Sequence, residues 1–289
     1  MTAAPESSRA NFAVMGAMHA AAHTAFNKYE GLGNDFILVE AADEGGVLPE
    51  RAVDLCDRRF GVGADGVLLV LPPRAAGCDV RMRVINADGS VPEMCGNGVR
   101  CVALHLARGR GLREATVRID TDAGPCLCSV EDARGEGMVE VEMGIVRVFD
   151  ERSLDIDGKR VTLTVADAGN PHAVLFGAFS RGEVEHLGPR LATHPDFPRG
   201  TNVEFTRVAG DGIDVVVWER GVGITLACGT GACATVAVAC AKRLVARGVP
   251  IPVRLPGGRL DITIDETGRA TMRGPARHVF EGTVVGPSP

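Results

Sequence analysis

Apolar and polar residues alternate along most of the chain in short segments, which predicts a protein built mainly of strands. Period-two alternation is typical of a strand that buries one face, and Asp79–Ile85 shows it with Val80, Met82 and Val84. Clusters of Gly, Asn, Asp and Pro separate the segments and predict turns. The predicted strands are Phe26–Glu30, Phe36–Glu40, Gly66–Leu71, Asp79–Ile85, Thr116–Asp120, Pro125–Val130, Met138–Met143, Val161–Ala166, Ala173–Phe176, Asn202–Val208, Ile213–Glu219, Val253–Leu255, Leu260–Ile264 and His278–Val284.

Four segments have helical spacing, and two of them are apolar on most faces. Gly98–Arg108 has only Arg100 and His105 as polar exceptions over most of its surface, and Thr230–Ala246 carries Ala, Val and Cys on every face as far as Ala241. A helix that is apolar all round is normally buried in the core. The two other predicted helices are Pro49–Arg58 and Ser180–Leu191.

The order of elements in the first half of the chain returns in the second half. A Cys-Gly-x-Gly tetrad at Cys95 opens the first buried helix, and another at Cys228 opens the second one 133 residues later. The other matched positions are Asn86 with Glu219, each nine residues before its cysteine, and Asn34 with Asn170. A period of this length predicts two related domains with a site in the cleft between them. Chance similarity of glycine-rich loops is the alternative.

The repeat also predicts domain boundaries. We expect an N-terminal half of residues 24–146 plus 278–289 and a C-terminal half of residues 147–277, with the polar stretch Val146–Lys159 as the crossover. Residues 1–23 are rich in Ala and Ser and lack the basic and apolar regions of a signal peptide, so we expect a disordered or loosely attached leader. A true start at Met15 or Met18 is the alternative.

Composition excludes several classes of protein. The 289 residues are 45% hydrophobic and 24% charged, as in an ordinary globular protein. A net charge of −6, with no cluster of Lys and Arg and few aromatic residues, argues against a nucleic-acid partner. No run of 18 apolar residues occurs, so no transmembrane span is expected.

The cysteines are odd in number, nine in all, and none has the spacing of a metal site. Unpaired thiols are typical of a reducing compartment, so a cytoplasmic location is expected. Apart from Cys95 and Cys228, they are interpreted as small core residues: Cys56, Cys78, Cys101, Cys126, Cys128, Cys233 and Cys240.

The two tetrads suggest proton chemistry. Glycines permit positive φ and close approach of a ligand to the backbone, while the free N–H groups and the dipole of a helix N-terminus attract an anion. The same field favours thiolate at the adjacent cysteine. Two such loops would hold one carboxylate between Cys95 and Cys228, so that one thiolate removes the α-proton and the other thiol protonates the opposite face. Two purely structural cysteines are the alternative.

Eight motifs support a family resemblance over residues 24–286. They are Gly-Leu-Gly-Asn-Asp-Phe (31–36), Gly-Val-Gly-Ala-Asp-Gly (61–66), Asn-Ala-Asp-Gly-Ser (86–90), Met-Cys-Gly-Asn-Gly-Val-Arg-Cys (94–101), Gly-Asn-Pro-His (169–172), Thr-Asn-Val-Glu-Phe (201–205), Trp-Glu-Arg-Gly-Val-Gly (218–223) and Ala-Cys-Gly-Thr-Gly (227–231). In this order the chain resembles the diaminopimelate epimerase family, and the pair of cysteine tetrads is highly specific for it.

The resemblance implies an enzyme that interconverts LL- and meso-2,6-diaminopimelate in lysine and peptidoglycan-precursor synthesis. It implies an α+β fold of two pseudo-symmetric domains, each a mostly antiparallel sheet wrapped around a central buried helix. It also implies a small amino-acid substrate, a homodimer, and catalysis without pyridoxal phosphate, another cofactor or a metal.

The resemblance further implies the roles of individual residues. Cys95 and Cys228 would be the base and acid pair, and His172 and Glu219 would assist and position the thiols. The implied substrate contacts are the backbone at Gly96, Asn97, Gly229 and Thr230 for the reacting carboxylate, Asn34 and Asn170 for the reacting amine, and Asn86, Asn202, Arg220 and the Glu219 backbone for the distal end. The planar guanidinium of Arg220 suits a carboxylate because it can bind both oxygens.

Two departures and two alternative functions remain at this stage. Many family members have Gln where this chain has Gly66, and members usually begin near Phe26. A proline or hydroxyproline racemase, or a sister isomerase of the same fold, is one alternative; proline-type enzymes usually carry His in place of Asn97, and a cyclic substrate has no distal end for Arg220 to bind. A non-enzymatic thiol switch or metal-binding protein is the other.

Overall fold

The computed structural model describes residues 22–92 and 94–286, where the chain forms sixteen strands and four α-helices. The strands are β1 (Ala22–Gly31), β2 (Asn34–Glu40), β3 (Gly66–Leu71), β4 (Val80–Asn86), β5 (Ala115–Asp120), β6 (Cys126–Glu131), β7 (Gly137–Ile145), β8 (Arg147–Ile156), β9 (Lys159–Asp167), β10 (Pro171–Phe176), β11 (Asn202–Ala209), β12 (Gly212–Glu219), β13 (Gly223–Thr225), β14 (Ile251–Leu255), β15 (Gly258–Ile264) and β16 (Arg269–Gly286). The helices are α1 (Pro49–Cys56), α2 (Gly96–Gly109), α3 (Arg181–Ala192) and α4 (Gly229–Ala241).

The strands of the first half close into a ring around α2. Strands β1 to β7 pair in chain order, and the long C-terminal strand β16 joins the two ends. Residues 269–276 of β16 pair with β7, and residues 277–286 pair with β1. Helix α2 packs against all eight of these strands, so it is the core of this half.

The second half repeats the same order of strand pairs around α4. Starting from β16–β1 in the first half and from β8–β9 in the second, successive strand pairs are antiparallel, antiparallel, parallel, antiparallel, parallel, antiparallel and antiparallel in both. This agreement confirms the predicted internal repeat and the mostly antiparallel α+β fold. Chance similarity of two loops does not produce a matched strand order.

The prediction that the second buried helix is enclosed on all sides is confirmed, but its predicted end is wrong. Every residue from Gly229 to Cys240 is buried. The helix stops at Ala241 rather than Ala246, because Arg243 adopts a left-handed φ of 58°. The Arg243 and Leu244 N–H groups then bond back to Cys240 and Ala239 carbonyls, which is the Schellman ending of a helix.

Other predicted boundaries also need correction. The expected crossover at 146–159 is instead strand β8, which turns into β9 through Asp157 and Gly158, both with positive φ, as a two-residue hairpin turn requires. Strand β16 is 18 residues long, far longer than the predicted His278–Val284. Strand β13 and a short 3-10 helix at Glu44–Gly46 were not predicted.

The predicted leader of residues 1–23 lies mostly outside the described residues. Strand β1 begins at Ala22, so the last two residues assigned to the leader belong to the sheet. Ala22 pairs with Gly286 at the opposite end of the described chain.

Candidate active site

The cysteines of the two tetrads occupy the same position in the two halves. Cys95 is the N-cap of α2 and Cys228 is the N-cap of α4, each with an extended backbone. The Cys95 Sγ accepts a hydrogen bond from the Gly98 N–H, and the Cys228 Sγ accepts one from the Gly231 N–H, both at 3.4 Å. Each thiol therefore lies in the first turn of its helix, where the peptide N–H groups are free of helical partners.

The two helix N-termini meet at their first glycines. A Cβ on Gly96 would lie 3.8 Å from the Cα of Gly229, and a Cβ on Gly229 would lie 3.7 Å from the Cα of Gly96. The Met272 side chain of β16 packs against both glycines, and it would lie only 3.0 Å from the first Cβ and 2.9 Å from the second. None of the tetrad glycines has a positive φ. Glycine is needed for space where the two helices converge.

The second glycine of the α4 tetrad makes room for the thiol, and this leads to a prediction. A Cβ on Gly231 would lie 3.2 Å from the Cys228 Sγ and 2.8 Å from a buried Glu204 oxygen. Gly231→Ala should displace the thiol. For the epimerisation that the family resemblance implies, kcat should then fall by about tenfold to a hundredfold, since small misplacements of reacting groups are costly. Steady-state kinetics measures the loss.

Gly182→Ala is the matched control for this substitution. Gly182 lies in α3, and nothing comes within 4 Å of an added Cβ there. This variant should keep wild-type kinetics, because alanine also favours the helix. Wild-type kcat in folded Gly231→Ala protein would contradict the account of the second glycine.

Burial dominates the chemistry of both thiols. It raises the pKa of Cys95 to about 11, although the N–H of the helix N-terminus and the Arg100 guanidinium oppose the shift. Burial also raises the pKa of Cys228 well above its ordinary value, helped by the carboxyl groups of Glu219 and Glu204. In this structure the loss of water therefore outweighs the field of a helix N-terminus, which by itself favours thiolate.

A buried cation supports the first turn of α2. Arg100 is fully buried, and its guanidinium donates to the Gly96 carbonyl at 3.3 Å, the Asn97 Oδ1 at 2.9 Å and the Pro275 carbonyl at 3.2 Å. Its positive charge lowers the pKa of Cys95, in opposition to the larger effect of burial. Sequence reasoning treated Arg100 only as a polar exception on an apolar helix.

Two of the predicted substrate-binding asparagines are joined directly. The Asn97 Nδ2 donates to the Asn34 Oδ1 at 3.0 Å and to the Ala227 carbonyl of the opposite half at 3.2 Å. The Asn34 Nδ2 donates in turn to Asp65 at 2.8 Å, and Asp65 pairs with Arg58. These bonds hold the Asn34 amide in one orientation, at the point where the two halves meet.

His172 and Asn170 form a second group with a residue that sequence reasoning missed. The ring of His172 is fully buried, with Nδ1 2.7 Å from the Glu204 Oε1 and Nε2 2.8 Å from the Asn170 Oδ1. Glu204 lies in the motif Thr-Asn-Val-Glu-Phe on β11. A carboxylate inside a buried strand was the signal in the sequence that could have identified it.

Glu219, Arg220 and Asn202 lie together at the end of β12. The Glu219 Oε1 accepts a hydrogen bond from Thr225 at 2.6 Å, and burial raises the pKa of Glu219. The Arg220 N–H donates to the Asn202 Oδ1 at 3.0 Å. The exposed Arg220 guanidinium contacts the Arg199 carbonyl at 2.5 Å, so it lies at the rim of the group.

The remaining predicted residues are placed less centrally, apart from Thr230. The Thr230 Oγ1 lies 3.5 Å from the Cys228 Sγ. Asn86 bonds to Ser90 in its own turn, at 2.9 Å, and pairs with Gly66 of the neighbouring strand. A Cβ on Gly66 would lie 2.8 Å from the Ile85 carbonyl oxygen of β4, so this backbone leaves no room for a side chain at that position.

Residues 22–92 and 94–286 contain neither a cluster of side chains suited to a metal ion nor a membrane-spanning helix. Across these ranges no group of three or more His, Cys, Asp or Glu side chains has the arrangement of a metal site. No helix in the same ranges is long and apolar enough to cross a membrane.

Solved structures of known proteins match the fold. A probable proline racemase from Agrobacterium radiobacter superposes with a TM-score of 0.71 at 18% identity, covering 90% of this chain and 92% of that one. A hydroxyproline epimerase from Agrobacterium vitis superposes with a TM-score of 0.70 at 17% identity, covering 91% of each chain. The protein thus has the fold of these racemases and epimerases, with paired thiols where its two halves meet.

Sequence comparison is more specific than fold. The diaminopimelate epimerase family matches residues 26–149 and 164–279. A diaminopimelate epimerase from Synechococcus sp. is 43% identical over 285 residues, which cover 90% of this chain and 98% of that protein. Diaminopimelate epimerase 1 from Nostoc sp. is 42% identical over 280 residues, which cover 89% and 98%. The chain belongs to the diaminopimelate epimerase family, and the predicted class, an isomerase acting on amino acids, is confirmed.

Proposed function

We propose that this protein epimerises diaminopimelate by moving the α-proton between Cys95 and Cys228. The observation that carries the proposal is the meeting of two helix N-termini at Gly96 and Gly229, each with a thiol as its N-cap. Family membership supports the choice of substrate. A proline-type substrate remains the second candidate on fold alone.

The reacting carboxylate binds between the two helix ends. Backbone N–H groups at Gly96, Asn97, Gly229 and Thr230 donate hydrogen bonds to its oxygens, as helix N-termini do for other anions. When the α-proton leaves, negative charge develops on this carboxylate as an enediolate. The same N–H groups then stabilise the transition state more than the ground state.

The thiols need activation because burial holds their pKa values high. The reacting ammonium, held by Asn34 and Asn170, brings a positive charge beside them and favours one thiolate. That thiolate removes the α-proton, while the opposite thiol protonates the other face of the carbon. His172 and Glu219 assist by holding and exchanging protons, and the roles of the thiols reverse for the opposite isomer.

The distal amino-acid end binds at Asn86, Asn202, Arg220 and the backbone of Glu219. The Asn202 side chain already ties this region together through the Arg220 N–H and the Pro171 carbonyl. A guanidinium at the rim can bind both oxygens of a distal carboxylate.

Arg220→Met should therefore raise KM for diaminopimelate by about tenfold to a hundredfold and change kcat less, because the lost bond forms far from the reacting carbon. Initial-rate kinetics measures the split. Arg220→Lys keeps the charge without the planar guanidinium, so its KM should lie between those of the wild type and Arg220→Met. An unchanged KM in Arg220→Met protein would remove the residue from the binding site.

Incubation of the pure protein with LL-diaminopimelate tests the proposed function, with L-proline as the parallel substrate. Chiral chromatography should show the meso isomer forming from LL-diaminopimelate and no D-proline from L-proline. Turnover of L-proline alone would replace the proposal with its alternative.

The assembly and location of the enzyme form part of the same proposal. From family membership we propose a homodimer in the cytoplasm that acts without a cofactor on a small amino acid. We also propose residues 24–146 with 278–289 and residues 147–277 as its two domains, because β16 joins the two strand systems.

A further inference from the structure

The two halves differ at one buried position beneath their matched helices. In the parallel pair β2–β3, Phe36 is paired with Gly66, and Leu68 lies two residues further along β3. In the parallel pair β10–β11, His172 is paired with Asn202, and Glu204 lies two residues further along β11. The first half thus has a phenyl ring and an isobutyl group where the second half has an imidazole and a carboxyl group.

Both side chains lie under the second glycine of a cysteine tetrad. A Cβ on Gly98 would lie 2.8 Å from a Leu68 methyl group, and a Cβ on Gly231 would lie 2.8 Å from the Glu204 Oε1. The match shows that Glu204 occupies a position where the fold also accepts an apolar residue. Its carboxyl group is therefore not a requirement of the fold.

Glu204 is also incompletely satisfied. Its side chain is 0% exposed, Oε1 bonds to the His172 Nδ1 at 2.7 Å, and the buried Oε2 has no hydrogen-bond partner in the described part of the chain. Burial raises the pKa of Glu204, and His172 opposes the shift. A buried carboxyl group with a free oxygen costs stability, which points to a purpose other than stability.

The bonds of His172 define where its protons lie. Nε2 faces the side-chain Oδ1 of Asn170, an oxygen that only accepts, so Nε2 is the donor in this bond. One more proton lies between Nδ1 and the Glu204 Oε1. With this proton on Nδ1 the pair is imidazolium and carboxylate, and with the proton on Oε1 the pair is neutral imidazole and carboxylic acid. Both forms are neutral as a pair and keep both hydrogen bonds.

We propose that Glu204 is a positioning residue, which holds the His172 ring on Asn170 and places a carboxyl group beside Cys228 that disfavours the thiolate there. Cys95 lies beside Arg100 and has no such pair at the matched positions. The titratable groups that face Glu204 are His172 of β10, Glu219 of β12 and Cys228 at the start of α4. The effect of Glu204 on catalysis rests on the proposed function, while its effect on the Cys228 thiol does not.

The proposal predicts a change at one thiol only. In Glu204→Gln protein, the amide can accept from Nδ1 or donate to it, so the hydrogen bond survives, while the carboxyl group that raises the pKa of Cys228 is lost. Loss of that carboxyl group favours the Cys228 thiolate. The pH midpoint of Cys228 alkylation should move down by about one unit, which is about tenfold faster reaction at a fixed lower pH. The midpoint at Cys95 should not move.

Alkylation of the full-length protein by iodoacetamide across a pH series measures this directly, with mass spectrometry assigning the rate to each cysteine. Thr206→Val is the matched control, because Thr206 is a buried polar residue on the same strand that bonds to the Leu175 carbonyl. It should leave both midpoints unchanged. Glu204→Asp keeps a carboxyl group and should return the Cys228 midpoint towards the wild-type value. An unchanged Cys228 midpoint in folded Glu204→Gln protein, or an equal shift at Cys95, would overturn the proposal.

A double variant tests whether Glu204 acts through the histidine. Once His172→Gln has removed the ring, adding Glu204→Gln should still lower the Cys228 midpoint, because the carboxyl group acts on the thiol itself. A shift that vanishes without the ring would show that the charge of the histidine, and not the carboxyl group, acts on the thiol, and it would contradict the proposal. These readouts need no turnover. If the protein failed to epimerise diaminopimelate while the alkylation shifts appeared, only the proposed function would fail.

Discussion

Cys95→Ala and Cys228→Ala should each lower the rate of diaminopimelate epimerisation by about 10⁴-fold, the upper range for loss of one general acid or base. Each variant removes the group that serves one face of the α-carbon, and the thiol on the opposite face cannot reach it. The N-cap positions of α2 and α4 make these thiols equivalent, so the losses should be similar. A coupled or chromatographic assay of LL to meso conversion measures them.

Loss of the fold would give the same result, so the variants need controls. An N-cap hydrogen bond contributes about 1 kcal/mol, and circular dichroism should show folded protein. Cys101→Ala and Cys233→Ala remove fully buried thiols from the same two helices. These controls should retain activity, at some cost in stability. Near-full activity in either Cys95→Ala or Cys228→Ala would rule out the two-thiol mechanism.

Glu219→Gln should lower kcat by about 10²- to 10³-fold, which is the usual contribution of a positioned acid or base. The carboxyl group is close enough to raise the pKa of both thiols, Cys95 and Cys228, so its charge and protons are available to each. The amide keeps the shape of the side chain and loses its titration. KM should change little, because the proposed substrate contact of Glu219 is made by the backbone.

Thr225→Val gives a graded comparison for this prediction. The Thr225 hydroxyl donates to the Glu219 Oε1 and lowers its pKa against the larger effect of burial. Without that bond the pKa of Glu219 rises, so the pH at which kcat depends on its ionised form should move upward. A Glu219→Gln enzyme with wild-type kcat and pH profile would show that the carboxyl group has no part in proton transfer.

Local patterns were sufficient to predict the paired helices and their cysteines. The Cys-Gly-x-Gly tetrads combine a cap position, two small residues and an apolar helix within a few residues, and all of these signals agree. The end of α4 was missed because Arg243, and not glycine, adopts the left-handed conformation there. The full length of β16 was missed because its two parts pair with strands far away in sequence.

The chemistry around the thiols depended on contacts that sequence patterns do not show. Glu204 contacts His172 across a parallel strand pair, and the 25 residues between these two strands include helix α3. Arg100 is buried only because the first turn of α2 and the β16 backbone offer it carbonyl groups. The high pKa values of the thiols follow from burial, which the helix-terminus argument did not include.

The central claim is that two thiols act on opposite faces of one carbon, and deuterium uptake during the first turnovers tests it most directly. Wild-type protein is given LL-diaminopimelate in deuterated water, and mass spectrometry follows both isomers at low conversion. The account predicts a meso product with one deuterium at the inverted α-carbon and remaining LL substrate with almost none, since the removed proton stays with the first thiol and the second delivers solvent deuterium. Meso product that retains its original proton would mean that one group acts on both faces, and this would contradict the account.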